Sequence, residues 1–217
     1  MRIREAVLMV SLALLVSGCK GRMFPAGQGN LSSELGASAS SQEAAQTGLK
    51  VMQSLVRTEN FQGLGFTSVD QVTNAQLGDP LKVYSVPLDE LTAYKGEANA
   101  SALLHDGHKL IYPVTVDQRV VSSLSATQRD DGWRASEFGN SALTRALAAH
   151  RTGKDDFVVW VPALKVYFIG RGEHEGLTLT SIMDDPRFDF KAGEAIPASR
   201  AFAVLQKSAA GYNGLPQ

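Results

Sequence analysis

The side chains best suited to acid–base, metal or nucleophilic chemistry in this sequence are four histidines, His105, His108, His150 and His174, and one cysteine, Cys19. His105 and His108 flank Asp106-Gly107 in "HDGH". A structural metal site needs three or four converging ligands, and this cluster lacks the helical H-E-x-x-H spacing that puts two imidazoles on one face. It reads as a solvated hairpin tip. His174 stands between Glu173 and Glu175 in "RGEHEG", where neighbouring carboxylates favour the imidazolium and could tune an acid/base group. A histidine in a charged loop is more simply an exposed one. His150 falls near a helix C-terminus, where a cation complements the dipole. The neighbouring acids Asp155-Asp156 and Asp184-Asp185 point apart along an extended chain, whereas catalytic carboxylates converge from separate segments. Both pairs read as turn and solvation residues. No Gly-x-Ser-x-Gly elbow, phosphate-binding loop or dinucleotide fingerprint occurs.

Cys19 excludes thiol catalysis elsewhere and asks why one cysteine sits where it does. Arg2 and Arg4 form a positive head, and the uncharged run "AVLMVSLALLV" (Ala6 to Val16) follows, ending at Ser17-Gly18. A basic head, a short apolar core and small residues make a secretory signal; a membrane-spanning helix needs about 20 apolar residues. The motif Val16-Ser17-Gly18-Cys19 resembles the lipobox of bacterial lipoproteins. That resemblance covers the first nineteen residues and implies cleavage between Gly18 and Cys19, with fatty chains joined to Cys19. The small residues admit the backbone to a peptidase, and only a thiol forms the thioether. The mature chain would then be anchored to a bilayer rather than spanning it. Lys20 stands where an aspartate would favour inner-membrane retention, so the resemblance implies the outer membrane, with the periplasmic or surface side open.

The anchor divides the chain into a signal peptide (1–18), a lipidated cysteine with a linker (19–40) and one globular domain (41–217). "KGRMFPAGQGNLSSELGASAS" is rich in Gly, Ser and Ala, too poor in apolar surface to offset its ordering entropy. As a flexible coil, Lys20 to Ser40 would reach roughly 25 Å. Without a second cysteine no disulfide can staple the body, so stability must come from its core.

In the body, Ala45, Leu49, Met52 and Val56 share a helical face, with Gly48 a weak point at which the helix could begin. "SVDQVTNAQLGDP" predicts a short second helix with Ser68 and Gln71 at capping-box spacing and Gly78 as its stop. Strands are expected at "LKVYSV" and along 102–139, where Asp106-Gly107, Asp117-Gln118 and Asp131-Gly132 signal three hairpin turns. Pro113 lacks an N–H and requires an edge or a bulge. A helix capped by Asn140 follows, then "DFVVWV", apolar on both faces and therefore central. Two further strands, "KVYFIGRG" and "GLTLTSIM", precede a last helix near Pro197. Trp133 could anchor a partner or close the sheet's edge.

This order predicts an α+β fold, an antiparallel sheet built as a meander of hairpins with helices packed on one face. Of 217 residues 44% are hydrophobic, and the net charge is −1. That balance excludes disorder as the main state and offers no clustered cations for nucleic acid. Nothing in the sequence implies a catalytic, cofactor or metal site. The expected function is a membrane-anchored envelope lipoprotein held in the lipid bilayer through Cys19, a non-catalytic binding or assembly module for an envelope protein or polymer. An edge strand could recruit such a partner by strand addition. The alternative is a periplasmic or surface hydrolase using His174 or His105 with nearby carboxylates.

Overall fold

A computed structural model describes residues 35–96 and 99–211; the expected signal peptide, Gly18, Cys19 and the expected linker up to residue 34 lie outside the described residues. The described chain is α+β. Its elements run α1 (Ser41–Leu55), a 3-10 turn (Val69–Asn74), β1 (Gln76–Leu77), β2 (Leu81–Ser85) and α2 (Leu88–Ala93). After a second 3-10 turn (Ala100–Leu103) come β3 (His105–Val116), β4 (Arg119–Arg129), β5 (Gly132–Phe138) and α3 (Ser141–His150). The chain closes with β6 (Phe157–Val161), β7 (Val166–Arg171), β8 (Thr178–Ser181), β9 (Ala195–Pro197) and α4 (Ala198–Ala209). The strands form one sheet in the order β5-β4-β3-β2-β6-β7-β8-β9, with β1 paired to β3.

All neighbours are antiparallel except β2 and β6, which pair in parallel from Val83 opposite Val158 to Ser85 opposite Trp160. That one ladder joins a β3–β4–β5 meander to a β6–β7–β8–β9 meander. Because side chains alternate along a strand, it also aligns the two halves' faces. Leu81, Val83, Ile111, Val158 and Ile169 share one face and pack with Leu147 of α3. The opposite face carries two separate apolar clusters. Tyr112, Val114, Leu124 and Ala126 pack under Ala45, Met52 and Val56 at α1. Val159, Phe168 and Leu179 pack under Leu91 of α2 and Phe202 and Leu205 of α4. Three helices thus cover one face of the sheet, while α3, contrary to the expected packing of the helices on one face, crosses the other face to deliver the chain from β5 to β6.

The Asp117-Gln118 and Asp131-Gly132 signals are hairpin turns, and positive φ falls on Asp117 (49°), Gln118 (63°) and Gly132 (126°). Asp106-Gly107 is not a turn. It lies inside β3, where the register with β2 jumps between Val83 opposite Lys109 and Tyr84 opposite Asp106. Gly107 and His108 are the residues squeezed out of the ladder, a bulge. The Asp106 carboxylate accepts the His108 N–H at 2.9 Å, so the turn chemistry of Asp-Gly bends a strand instead of reversing it. Pro113 lies opposite Ser123 of β4, at the gap on its other side where β2 pairing ends and β1 pairing starts. Its missing N–H therefore breaks no ladder, as the sequence required.

Other details differ from expectation. Gly78 stops no helix; its N–H donates to Pro113 O at 2.7 Å, and the 3-10 turn ends earlier, at Asn74. Gln71 accepts from the Thr67 N–H at 3.0 Å, while the Ser68 side chain caps nothing. The segment ahead of Ser41 is partly packed: Ser38 exchanges two backbone hydrogen bonds with Trp133, at 2.8 and 2.9 Å, and Leu35 lies against the α1 cluster. The three-residue β9 had no visible alternation, and its pairing with β8 decides it.

Helix α1 begins at Ser41, not at Gly48, because the Ser40 Oγ accepts the Glu43 N–H at 3.2 Å. Gly48 is where helix meets sheet: a Cβ there would stand 2.6 Å from Ala135 Cβ and 2.7 Å from Leu124 Cδ1. Gly48→Ala gains up to about 1 kcal/mol of helix propensity but meets an overpacking cost of about 1–3 kcal/mol. The expected net result is a destabilisation of about 1–2 kcal/mol. In urea unfolding this appears as a lower midpoint at unchanged slope, and an unchanged or higher midpoint refutes the contact.

Candidate functional groove

Two helical layers on one sheet face leave the strand between them bare. Lys82 and Tyr84 of β2 point outward there, since Leu81 and Val83 face α3. With Phe157 of β6 they floor a groove of about 640 Å³. Leu110 of β3 stands on the α1 side and Leu104 on the α2/α4 side. The rim is formed by 154–156, ahead of β6, and by Gly172, Glu173 and His174, after β7. A second hollow of about 260 Å³ shares Lys82 and Leu110 and extends along β3 past His108 and Gln128 to Trp133.

Each floor residue has a local cause. Phe157 pairs with Gly170 across the β6–β7 ladder, and a Cβ at Gly170 would lie 2.3 Å from its ring. The bare glycine lets the ring lie over β7 and meet Tyr84 edge-on, centroids 5.0 Å apart. Lys82 Nζ sits 4.8 Å from the Tyr84 ring centroid and 2.8 Å from Asp106 Oδ2. The Asp106 hydrogen bond raises the lysine's pKa. For Asp106 itself, desolvation pushes upward, but Lys82 and the His108 N–H outweigh it and hold the carboxyl below its ordinary value.

The rim is fixed by a second ion pair. Asp156 has a side chain only 2% exposed, so it needs compensation for leaving water. It accepts from Arg171 Nε at 2.8 Å and Nη2 at 3.0 Å, and from the Thr152 and Gly153 N–H groups at 2.7 and 2.9 Å. Four donors led by the guanidinium hold its carboxyl far below the usual carboxylate range. Asp156 is therefore a buried structural anchor, not the turn and solvation residue its sequence neighbourhood suggested; exposed Asp155 fits that description. Arg151 binds the next segment: its guanidinium donates to Asp79 O at 2.7 Å and to Pro80 O at 3.2 Å, tying the approach to β2 onto the approach to β6.

The histidines do not meet. His174 is on the groove's rim with a left-handed backbone (φ 51°). His105 lies outside the lining, its Nε2 2.8 Å from Glu90 Oε2 of α2. His108 belongs to the second hollow, and the His150 ring approaches Gly193. Among the described residues no three His, Cys, Asp or Glu side chains are grouped to hold a metal ion. Asp184 accepts the Ala192 N–H at 2.8 Å, while Asp185 pairs with Arg187 Nη2 at 2.6 Å, so those two acids do point apart. Trp133 serves the sheet edge through its pairing with Ser38 and also lines the groove's extension.

Lys82, Tyr84 and Phe157 carry no motif. The one signal in the sequence is Gly170 inside a strand, which marks a close approach.

Asp156→Asn removes the charge from four donors, and the expected loss is about 1.5–3 kcal/mol near neutral pH. A carboxyl depressed by folding contributes stability above its unfolded pKa, and that contribution is lost as pH falls. Wild type should lose stability on going from about pH 5 to pH 3, and Asp156→Asn should lose less over the same interval. Parallel curves for the two proteins would refute the assignment. No described protein family, curated protein or solved structure matches this chain.

Proposed function

We propose that this chain is a membrane-anchored envelope lipoprotein, held in the outer membrane by acyl chains on Cys19, whose folded domain is a non-catalytic binding or assembly module. Support for the anchor comes from the Val16-Ser17-Gly18-Cys19 motif after its uncharged run. The observation that carries the binding role is the groove over β2, open between two helical layers and floored by Lys82, Tyr84 and Phe157. Its central charges are neutralised within the domain, Lys82 by Asp106 and Asp156 by Arg171. A surface with its charges already paired suits recognition through aromatic and apolar contact, with exposed Lys154, Asp155 and Glu173 as a polar rim. The partner is an envelope protein or polymer.

Two measurements test this reading. Cys19→Ser should move the protein from the membrane to the soluble fraction, with loss of the acyl mass from the mature chain; retention on the membrane sinks the anchor. A photo-crosslinking residue at Ser101 or Lys154 in intact cells should give a discrete adduct, while the same group at Arg145, on exposed α3, should not. Equal labelling at all three positions sinks the groove. The hydrolase reading draws on His174, which shares the rim with Asp155 and Glu173. The same reading could use His105, 2.8 Å from Glu90; His174→Ala and His105→Ala, each with full cellular function, remove it.

A further inference from the structure

The groove over β2 continues past Leu110. The hollow beyond it shares Lys82 and Leu110 with the groove and reaches Gln128 and Trp133. Leu110 and Trp133 pack against the α1 cluster, and Gln128 is the cross-strand partner of Trp133, so this extension lies on the groove's own face of the sheet. The two hollows, of about 640 and 260 Å³, thus form one trough that crosses β6, β2, β3, β4 and β5 in turn. Four inter-strand spacings put its ends, Phe157 and Trp133, roughly 19 Å apart. An extended chain covers that distance in about six residues.

Apolar and polar contacts alternate along the trough. Phe157 and Tyr84 offer ring surface near one end, Leu104 and Leu110 line the middle, and Trp133 closes the other end. Between them lie Lys82 and Asp106, 2.8 Å apart, with side chains 45% and 39% exposed. The ammonium has donors beyond that bond, and the carboxylate has further acceptor positions. The pair therefore offers hydrogen bonds of both kinds with no net charge. The trough offers no backbone edge before β5, because β6, β2, β3 and β4 are each paired on both sides.

We infer that the trough receives an extended, uncharged peptide segment of the partner, laid across the strands. Its alternate apolar side chains sit on Phe157, Leu110 and Trp133, and its backbone amides meet Lys82 and Asp106. This rests on the groove reading above and adds the class and length of the occupant. An aliphatic chain reaching Trp133 would cover the Lys82–Asp106 pair and leave its spare donors and acceptors without partners. A charged side chain on the floor would lose its hydration against a pair that is already neutral. A saccharide would meet aliphatic carbon at Leu104 and Leu110 where its hydroxyls need partners. In an extended peptide, side chains i, i+2 and i+4 share one face while N–H and C=O groups recur between them. That repeat matches apolar seats arranged around a paired charge.

The test uses the full chain in zwitterionic lipid nanodiscs. The protein has two tryptophans, so Trp160→Phe leaves Trp133 as the sole reporter, at the trough's far end. The probe is an acetylated, amidated octapeptide in which serine alternates with phenylalanine, leucine, valine and phenylalanine. It should give a saturable change in Trp133 emission, with half-saturation on the order of 10–100 µM. Placing its four apolar residues side by side, or replacing its leucine by lysine or glutamate, should weaken binding about tenfold. Gln128→Arg, at an exposed side chain, should keep the melting temperature and weaken binding to a similar extent. Saturation by dodecanol or by the β-1,4-linked tetramer of N-acetylglucosamine, with none by the octapeptide, overturns the inference. Equal affinity for the alternating and rearranged peptides also overturns it. A photo-crosslinking residue at Ser101 separates the two readings. An octapeptide adduct there with Trp133 silent overturns the trough and leaves the groove standing, whereas no adduct and no Trp133 response sinks both.

Discussion

The parallel ladder between β2 and β6 is the constraint from which the rest of the molecule follows. Two antiparallel meanders, each with its own turns, would otherwise be separate sheets with exposed inner edges. Val83 opposite Val158 and Ser85 opposite Trp160 join them and set which side chains share a face. A shift of one residue in that ladder would turn Val158 and Ile169 away from Leu147 and break the layer under α3. It would also send Lys82 and Tyr84 out of line with Phe157. A parallel connection cannot be made by a tight turn, so the chain between β2 and β6 is long, and it includes the whole β3–β5 meander and α3. Helix α3 lies on the opposite face from the other helices because it is the return path of this crossover.

How far the sequence reveals the fold depends on the range of each interaction. Asp117-Gln118, Asp131-Gly132 and the Asn140 cap act through the backbone within a few residues, and each element they bound is where pattern places it. The apolar run 157–161 correctly marks a central strand, between β2 and β7, although Phe157 and Trp160 stay half-buried where the helices leave the sheet open. Asp106-Gly107 fails because the same positive-φ preference serves a hairpin and a bulge; the choice is made by Val83 and Tyr84 of β2, distant in sequence. Gly48 fails for a related reason, since propensity counts it as a weak helix residue while Leu124 and Ala135 require its missing side chain. The groove was illegible for the strongest reason: it is made by what does not pack. No periodicity in β2 announces that Lys82 and Tyr84 fall in the gap between two clusters.

Charge in this domain is used to fix loops more than to create reactive groups. Asp156, Arg171 and Arg151 connect the approaches to β2 and β6 and the end of β7, three segments that adjoin the groove. Such a pair contributes little net stability once desolvation is counted, but breaking one partner is costly, so the geometry is held firmly. A groove bounded by loops so held is largely preformed, which lowers the ordering entropy a ligand must overcome. With Cys19 the one cysteine of the sequence, no disulfide within the chain can do the same work, which makes these loop anchors more important.

Where a partner can attach is then narrowed by the sheet's edges. Strand addition needs a run of unpaired N–H and C=O groups. At β5, Ser38 already takes both backbone groups of Trp133, and at the far edge β9 has three residues ending in Pro197, which has no N–H to offer. Each end is thus partly blunted against pairing, at Trp133 on one edge and at Pro197 on the other. The two faces remain. One carries an open groove with an aromatic floor, the other a hollow of about 130 Å³ whose lining includes Lys109 and Glu137. Under the proposed function, recognition falls to side chains on these faces, through the shape and hydrogen bonding of those surfaces.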